Sequence, residues 1–172
     1  MGETVYEDER VRLEVLELAG RGGVTKRRAV IRHPGAVVIL PLLDDGRVVL
    51  IRNRRPALGG EALLELPAGT REGDAPIDCA ARELEEETGY RAATLEPLTS
   101  FYPSPGITDE RMDVFVARGL EPGPQRLDPT EEIEVAPMAW GDALEAIREG
   151  RIRDGKTIAS LLFWERFGPG AG

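Results

Sequence analysis

At 172 residues, 41% of them hydrophobic and 31% charged, the chain is long enough for one domain with a real core, and its composition excludes a disordered or low-complexity polymer. One cysteine, Cys79, excludes an internal disulfide, and one histidine, His33, argues against a histidine-based triad or a zinc centre. A net charge of −9, with no DNA-reading motif, argues against a nucleic-acid partner.

Strands dominate the first two thirds of the chain. Val11–Leu18, a turn at Gly20–Gly23 and Thr25–Ile31 predict a hairpin, so residues 1–33 form an N-terminal antiparallel β arm. After Pro34-Gly35, the run AVVILPLL (36–43) has the continuous apolar character of a buried strand, and Asp44-Asp45-Gly46 predicts a turn into VVLIRN (48–53) as its hairpin partner. That apolar run is too short to span a bilayer, and the acidic opening lacks the basic head of a signal peptide, so a cytoplasmic protein without a membrane partner is expected. Leu63–Leu66 leads into a loop, and a helix follows. Asp74 is its expected N-cap, Pro76 fits its first turn and Gly89 closes it. Further strands are predicted at Leu95–Tyr102, Met112–Ala117 and Ile133–Trp140. Helices are predicted at Asp142–Glu149, closed by Gly150, and at Thr157–Phe167, where Ile158, Leu161, Leu162 and Trp164 are candidate core residues. The domain runs from 34 to 168, and residues 169–172 are expected to be a disordered tail.

The first helix carries the chemistry. On a helical wheel Glu83, Glu86 and Glu87 fall within about a 100° arc, while Glu85 points away. Three carboxylates that close repel one another unless a cation sits among them, and all-oxygen donors favour hard divalent ions. Glu-rich helical faces are more often merely solvated. Here, however, Ile77, Ala80, Ala81, Leu84 and Thr88 form an apolar stripe beside the acidic arc, which draws the acids toward the protein body. Cys79 lies beside that stripe and reads as a buried thiol, not a nucleophile. Charge is also segregated: residues 21–55 hold nine Lys or Arg against Asp44 and Asp45, whereas residues 71–87 hold seven acids against Arg71 and Arg82. A diphosphate substrate needs that combination, with cations bridging it to the acids on one side and arginines on the other.

The stretch LPAGTREGDAPIDCAARELEEETGY (66–90) strongly resembles the signature of the Nudix hydrolases. Arg82 through Tyr90 match that signature throughout. The front half departs from it, since only four residues separate Gly69 from Asp74, which stands where the pattern has Glu. The resemblance implies an α/β fold, a Nudix-type α/β/α sandwich with a mixed sheet. It implies Glu83 and Glu87 as metal ligands, Glu86 as a third ligand or holder of metal-bound water, the Ala68 carbonyl as a further ligand, and Arg82 as an orienter of carboxylates. The expected ion is Mg²⁺, with Mn²⁺ as a substitute. NRRPALGGEALLELPAG (53–69) and FYPSPGITDE (101–110) resemble the ADP-ribose pyrophosphatase subgroup. That likeness implies Arg55, Glu61, Ser104 and Gly106 in the substrate site, a homodimer with exchanged N-terminal strands, and hydrolysis of ADP-ribose to AMP and ribose 5-phosphate. DPTEEIEV (128–135) resembles the loop that carries the catalytic glutamate, which places the base at Glu131 ahead of Glu132. Taken singly, Arg55 could end a solvated hairpin and Ser104–Gly106 could be an ordinary turn. Another nucleoside diphosphate sugar such as GDP-mannose, or a non-catalytic ADP-ribose-binding module, is the alternative reading.

Overall fold

The computed structural model describes residues 2–8 and 10–169. Residues 170–172, most of the expected tail, lie outside the described residues. The arm is a three-stranded antiparallel sheet of β1 (Gly2–Glu7), β2 (Arg12–Ala19) and β3 (Thr25–Arg32), in that order. Its first strand was not expected from the sequence, where Thr4-Val5-Tyr6 is too short and too acidic in its surroundings to stand out. Val5, Tyr6, Leu18 and Val24 remain exposed, so the arm has almost no core of its own. Its root is fixed to the loop after β8 (Tyr90–Phe101). There Ile31 N–H donates to Ile107 O at 2.9 Å, and Asp109 accepts both the His33 N–H and the Arg32 guanidinium.

The body holds two sheets. β4 (Ala36–Pro41) is central in a four-stranded mixed sheet of order β7-β4-β9-β8, with β7 at Ala68–Thr70 and β9 at Met112–Pro122. β4 pairs parallel with β9, and the other pairings are antiparallel. The second sheet is antiparallel, in order β10-β5-β6, from β5 (Arg47–Arg55), β6 (Glu61–Glu65) and β10 (Ile133–Ala139). The expected hairpin between β4 and β5 is therefore corrected. Their turn closes through Leu43 N–H to Arg47 O and one bridge, Leu42 to Val48, after which the two strands part into different sheets.

Strand periodicity explains the layers. Along β4, Val37 and Ile39 point to one side and pack with Phe115, Ala117, Cys79, Ala80 and Leu84, while Val38 and Leu40 point to the other and pack with Val114, Val116, Ala146, Ile152 and Leu161. A strand buried on both faces must be apolar at every position, which is why AVVIL carries no alternation. Helix α1 (Pro76–Thr88) covers the first side, and α2 (Trp140–Arg148) with α3 (Gly155–Phe167) covers the second. Burial of each large side chain there contributes about 1.5–3 kcal/mol. Leu161 is fully buried as expected, but Leu162 faces solvent. Among the described residues, no helix is long and apolar enough to cross a membrane.

Candidate active site

α1 sets one wall of the site. Its buried arc runs through Cys79, Ala80, Leu84, Glu87 and Thr88, whereas Ile77 and Ala81, expected in the apolar stripe, face outward. The stripe is thus shifted toward Cys79, which draws Glu87 inward. Glu87 is 3% exposed and accepts one hydrogen bond there, from the Ala68 N–H at 2.9 Å. Glu83 lies over Gly69 so closely that a Cβ at 69 would overlap its carboxylate, so this glycine supplies space. Arg82 gathers the outer acids, reaching Glu83 at 2.8 Å, Glu86 at 3.4 Å and Asp74 at 3.6 Å. Asp74 is not the N-cap. Ala75 occupies that position without a side-chain bond, because Asp74 is turned toward Arg82.

Burial dominates the electrostatics of this wall. It pushes Glu87 up to about 8, with Glu83 and Glu131 adding repulsion and the Ala68 N–H opposing, and it pushes Glu83 up to about 7 against the pull of Arg82. Burial also raises the Cys79 thiol to about 11, as an inert core sulfur requires. Among the described residues no three acidic, histidine or cysteine side chains converge on a single point, since the acids are drawn apart onto Arg82 and the Ala68 amide.

The opposite wall comes from β5, where Asn53 and Arg55 share a strand face. Arg55 Nε donates to Glu65 Oε1 at 2.8 Å and its Nη2 donates to the other oxygen, a bidentate pair on a side chain that lines the cleft. The third side is the segment between β9 and β10. Gln125 Nε2 donates to Glu87 O at 2.6 Å and the Arg126 N–H to Glu86 O at 3.0 Å, so two terminal carbonyls of α1 anchor this segment. Gly89 ends α1 with φ 75° and accepts no Cβ, because Gly123 crosses directly over it. The open cleft between these walls has a volume of about 1030 Å³ and is lined by Asn53, Arg55, Ala68, Arg82, Glu83, Glu86, Glu87 and Glu131 among others. It matches the upper end of the roughly 300–1,000 Å³ range of small-molecule sites.

A family profile described as the NUDIX domain matches residues 32–161. The chain belongs to the NUDIX family. Similar proteins include an ADP-ribose pyrophosphatase of Bacillus subtilis (strain 168) and a methanol dehydrogenase activator of Bacillus methanolicus, each 35% identical over 164 residues that cover 94% of this chain and 88% of the relative. A GDP-mannose pyrophosphatase of Cronobacter sakazakii (strain ATCC BAA-894) is 39% identical over 147 residues, 79% of this chain and 75% of the relative. A crystal structure described as an ADP compounds hydrolase superposes with TM-score 0.81, covering 100% of this chain and 95% of its own at 24% identity, which speaks for the fold.

Within this Nudix fold the structure brings Arg55, Ala68, Arg82, Glu83, Glu86, Glu87 and Glu131 to one cleft. Glu131 sits in a turn with Asp128, donating its N–H to Asp128 O at 2.9 Å and accepting the Asp128 N–H at 3.0 Å. Glu132 lies outside, paired with Arg54 at 2.9 Å. Glu61, Ser104 and Gly106 are not among the residues lining the cleft in this chain. Glu61 pairs with Arg153 on the surface. Ser104 O accepts the N–H groups of Ile107 and Thr108 in the turn that holds the arm, and Gly106 lies within that turn. Sequence reasoning missed Asn53, Glu65, Arg71, Gln125 and Arg126. Arg71 lines the cleft, and its Nε is buried with no hydrogen-bond partner among the described residues. The one signal available was segregated charge, which points to arginines without saying which.

Proposed function

We propose that this Nudix protein hydrolyses the pyrophosphate of ADP-ribose, giving AMP and ribose 5-phosphate, in a reaction that depends on Mg²⁺, with Mn²⁺ as a substitute. The observation that carries the reading is the cleft itself, with buried carboxylates on one wall, a fork-held arginine on the other and Glu131 beside them. The residues fit a hard divalent ion: Glu83, Glu86 and Glu87 with the Ala68 main chain give an all-oxygen donor set, and two of the carboxylates are buried with less cationic compensation than burial demands. When bound, the ion offsets the negative charge of the pyrophosphate and of the departing phosphate.

The chain's own groups do the rest. The free edge of Arg55 donates to a pyrophosphate oxygen and holds the substrate in register. Glu131 takes a proton from the attacking water as its oxygen bonds to phosphorus and the bridging P–O bond breaks. Arg82 keeps Glu83 and Glu86 oriented by ion pairs at 2.8 and 3.4 Å and makes none with Glu87. Gln125 and Arg126 fix the root of the segment that carries Glu131, so its tip is free to close over substrate.

Likeness to a GDP-mannose pyrophosphatase supports a second substrate reading, because none of the residues lining the cleft is aromatic and able to select a base by stacking. The exposed arm supports a homodimer, and a cytoplasmic protein with a small-molecule substrate and no nucleic-acid partner is part of the same proposal. The test is product analysis on ADP-ribose, GDP-mannose and dinucleotides with Mg²⁺ and then with chelator. Metal-dependent AMP release, fastest from ADP-ribose, is expected. Binding of ADP-ribose without turnover of any substrate would replace the enzyme by a binding module.

A further inference from the structure

Behind Arg55 lies a second ionic cluster that the reaction outlined above does not touch. Glu65 ends β6 with 1% of its side chain exposed, and Lys156 in the first turn of α3 is 7% exposed. The Glu65 carboxylate accepts Arg55 Nε at 2.8 Å, Arg55 Nη2, and Lys156 Nζ at 2.5 Å, so three N–H donors meet two oxygens. Lys156 Nζ also donates to Asp154 Oδ2 at 2.9 Å. Asp154 in turn caps α3 by accepting the Thr157 N–H and hydroxyl, and Thr157 Oγ1 accepts the Leu66 N–H at 2.7 Å. The row Asp154, Lys156, Glu65, Arg55 therefore runs from the helix start to the cleft.

Stability is a poor account of this row, because a buried ion pair rarely outperforms well-packed apolar side chains of the same volume. Geometry offers a better one. The fork onto Glu65 takes Nε and one Nη2 proton, which fixes the guanidinium plane and leaves Nη1 without a hydrogen-bond partner among the described residues, on a side chain that lines the cleft. Charge points the same way. Glu65 alone would neutralise Arg55, but Lys156 offsets Glu65 from the rear, and the Thr157 amide at the N-terminus of α3 offsets Asp154. The four side chains balance formally, and the partial positive charge of the α3 N-terminus tips the row toward positive at its Arg55 end.

We propose that Lys156 is a positioning residue for the substrate anion: through Glu65 it fixes the Arg55 guanidinium and keeps its charge available to a diphosphate in the cleft. The identity of the substrate rests on the pyrophosphatase reading, whereas the relay concerns any nucleoside diphosphate.

Calorimetric titration with ADP in Mg²⁺ buffer, alongside kinetics on ADP-ribose, tests it. Lys156→Met should weaken ADP about tenfold and raise KM by a similar factor with kcat within about threefold, and Lys156→Arg should recover most of the loss. A melting curve shows whether each variant folds. If Lys156→Met does not fold, Lys156→Gln, which keeps a donor for Glu65 without the charge, takes its place in the same titration, and weakened ADP binding by that variant supports the relay. Wild-type or tighter ADP binding by either folded variant overturns it. A wild-type protein that binds ADP yet leaves ADP-ribose intact overturns the pyrophosphatase reading instead, and the comparison of ADP affinities still decides the relay.

Discussion

Glu65, behind the Arg55 wall of the cleft, and Glu87, in the opposite wall, are the same residue type and nearly equally buried, and the protein treats them in opposite ways. Glu65 is saturated by the Arg55 fork and by Lys156. Glu87 receives a single amide from Ala68 and faces Glu83 and Glu131, so burial pushes it up to about 8. A buried charge that the chain pairs completely becomes a fixed part of the scaffold. One that the chain leaves underpaired becomes a place where a cation from outside is strongly favoured. Fold and activity thus draw on the same physics with different compensation.

The largest effect that would sharpen this contrast is removal of the ion. Chelation should abolish turnover, and Mg²⁺ should raise the melting temperature of the wild-type protein by binding the native state alone. An identical melt with and without Mg²⁺ would mean that the α1 acids hold no cation. Next comes Glu87→Gln, expected to reduce turnover by about 10³-fold, roughly 4 kcal/mol of barrier. The same change should raise the melting temperature of the metal-free protein, since a neutral amide is less costly to bury, and should erase the shift with Mg²⁺. Retention of near wild-type turnover would remove Glu87 from the ligand set. Glu131→Gln should lower kcat about 10²-fold with little change in KM, as loss of a general base does. Glu132→Gln should leave both unchanged, because its carboxylate is exposed and paired with Arg54 outside the cleft. A loss at 132 and none at 131 would reverse the two roles.

How much of this was legible depends on how local each signal is. Helix α1 could be read almost to its ends, since Pro76 and Gly89 act on their own backbone, and the acid arc follows from helical spacing alone. The run AVVIL announced a strand buried on both faces but not its neighbours. Leu43 to Arg47 looks like a hairpin turn from within, and only β7 and β9, both distant in the chain, pull β4 away from β5. The stripe on α1 was misplaced for a related reason: Ile77 is apolar, but what the helix buries is set by the sheet beneath it, which selects Cys79. The Arg55 wall was found through family resemblance, while Glu65 and Lys156, 91 positions apart, leave no trace in either local sequence. Glu61 and the Ser104 turn, implied for the substrate site by resemblance, are not among the residues lining the cleft of this chain.

The smallest effect tests the departure in the front of the signature. The loop from Gly69 is one residue shorter than the family pattern and ends in Asp74, whose carboxylate stands 3.6 Å from Arg82 and is 35% exposed. At that distance and exposure solvent screening leaves the pair weak. Arg82 reaches Glu83 at 2.8 Å through a contact in which Asp74 takes no part. Asp74→Asn should therefore lower kcat no more than about fivefold and leave the Mg²⁺-induced melting shift in place. A fall as deep as that of Glu87→Gln, with the melting shift lost, would move Asp74 from the support of Arg82 to the cation itself. The contrast between paired and underpaired carboxylates would then extend to the shortened loop.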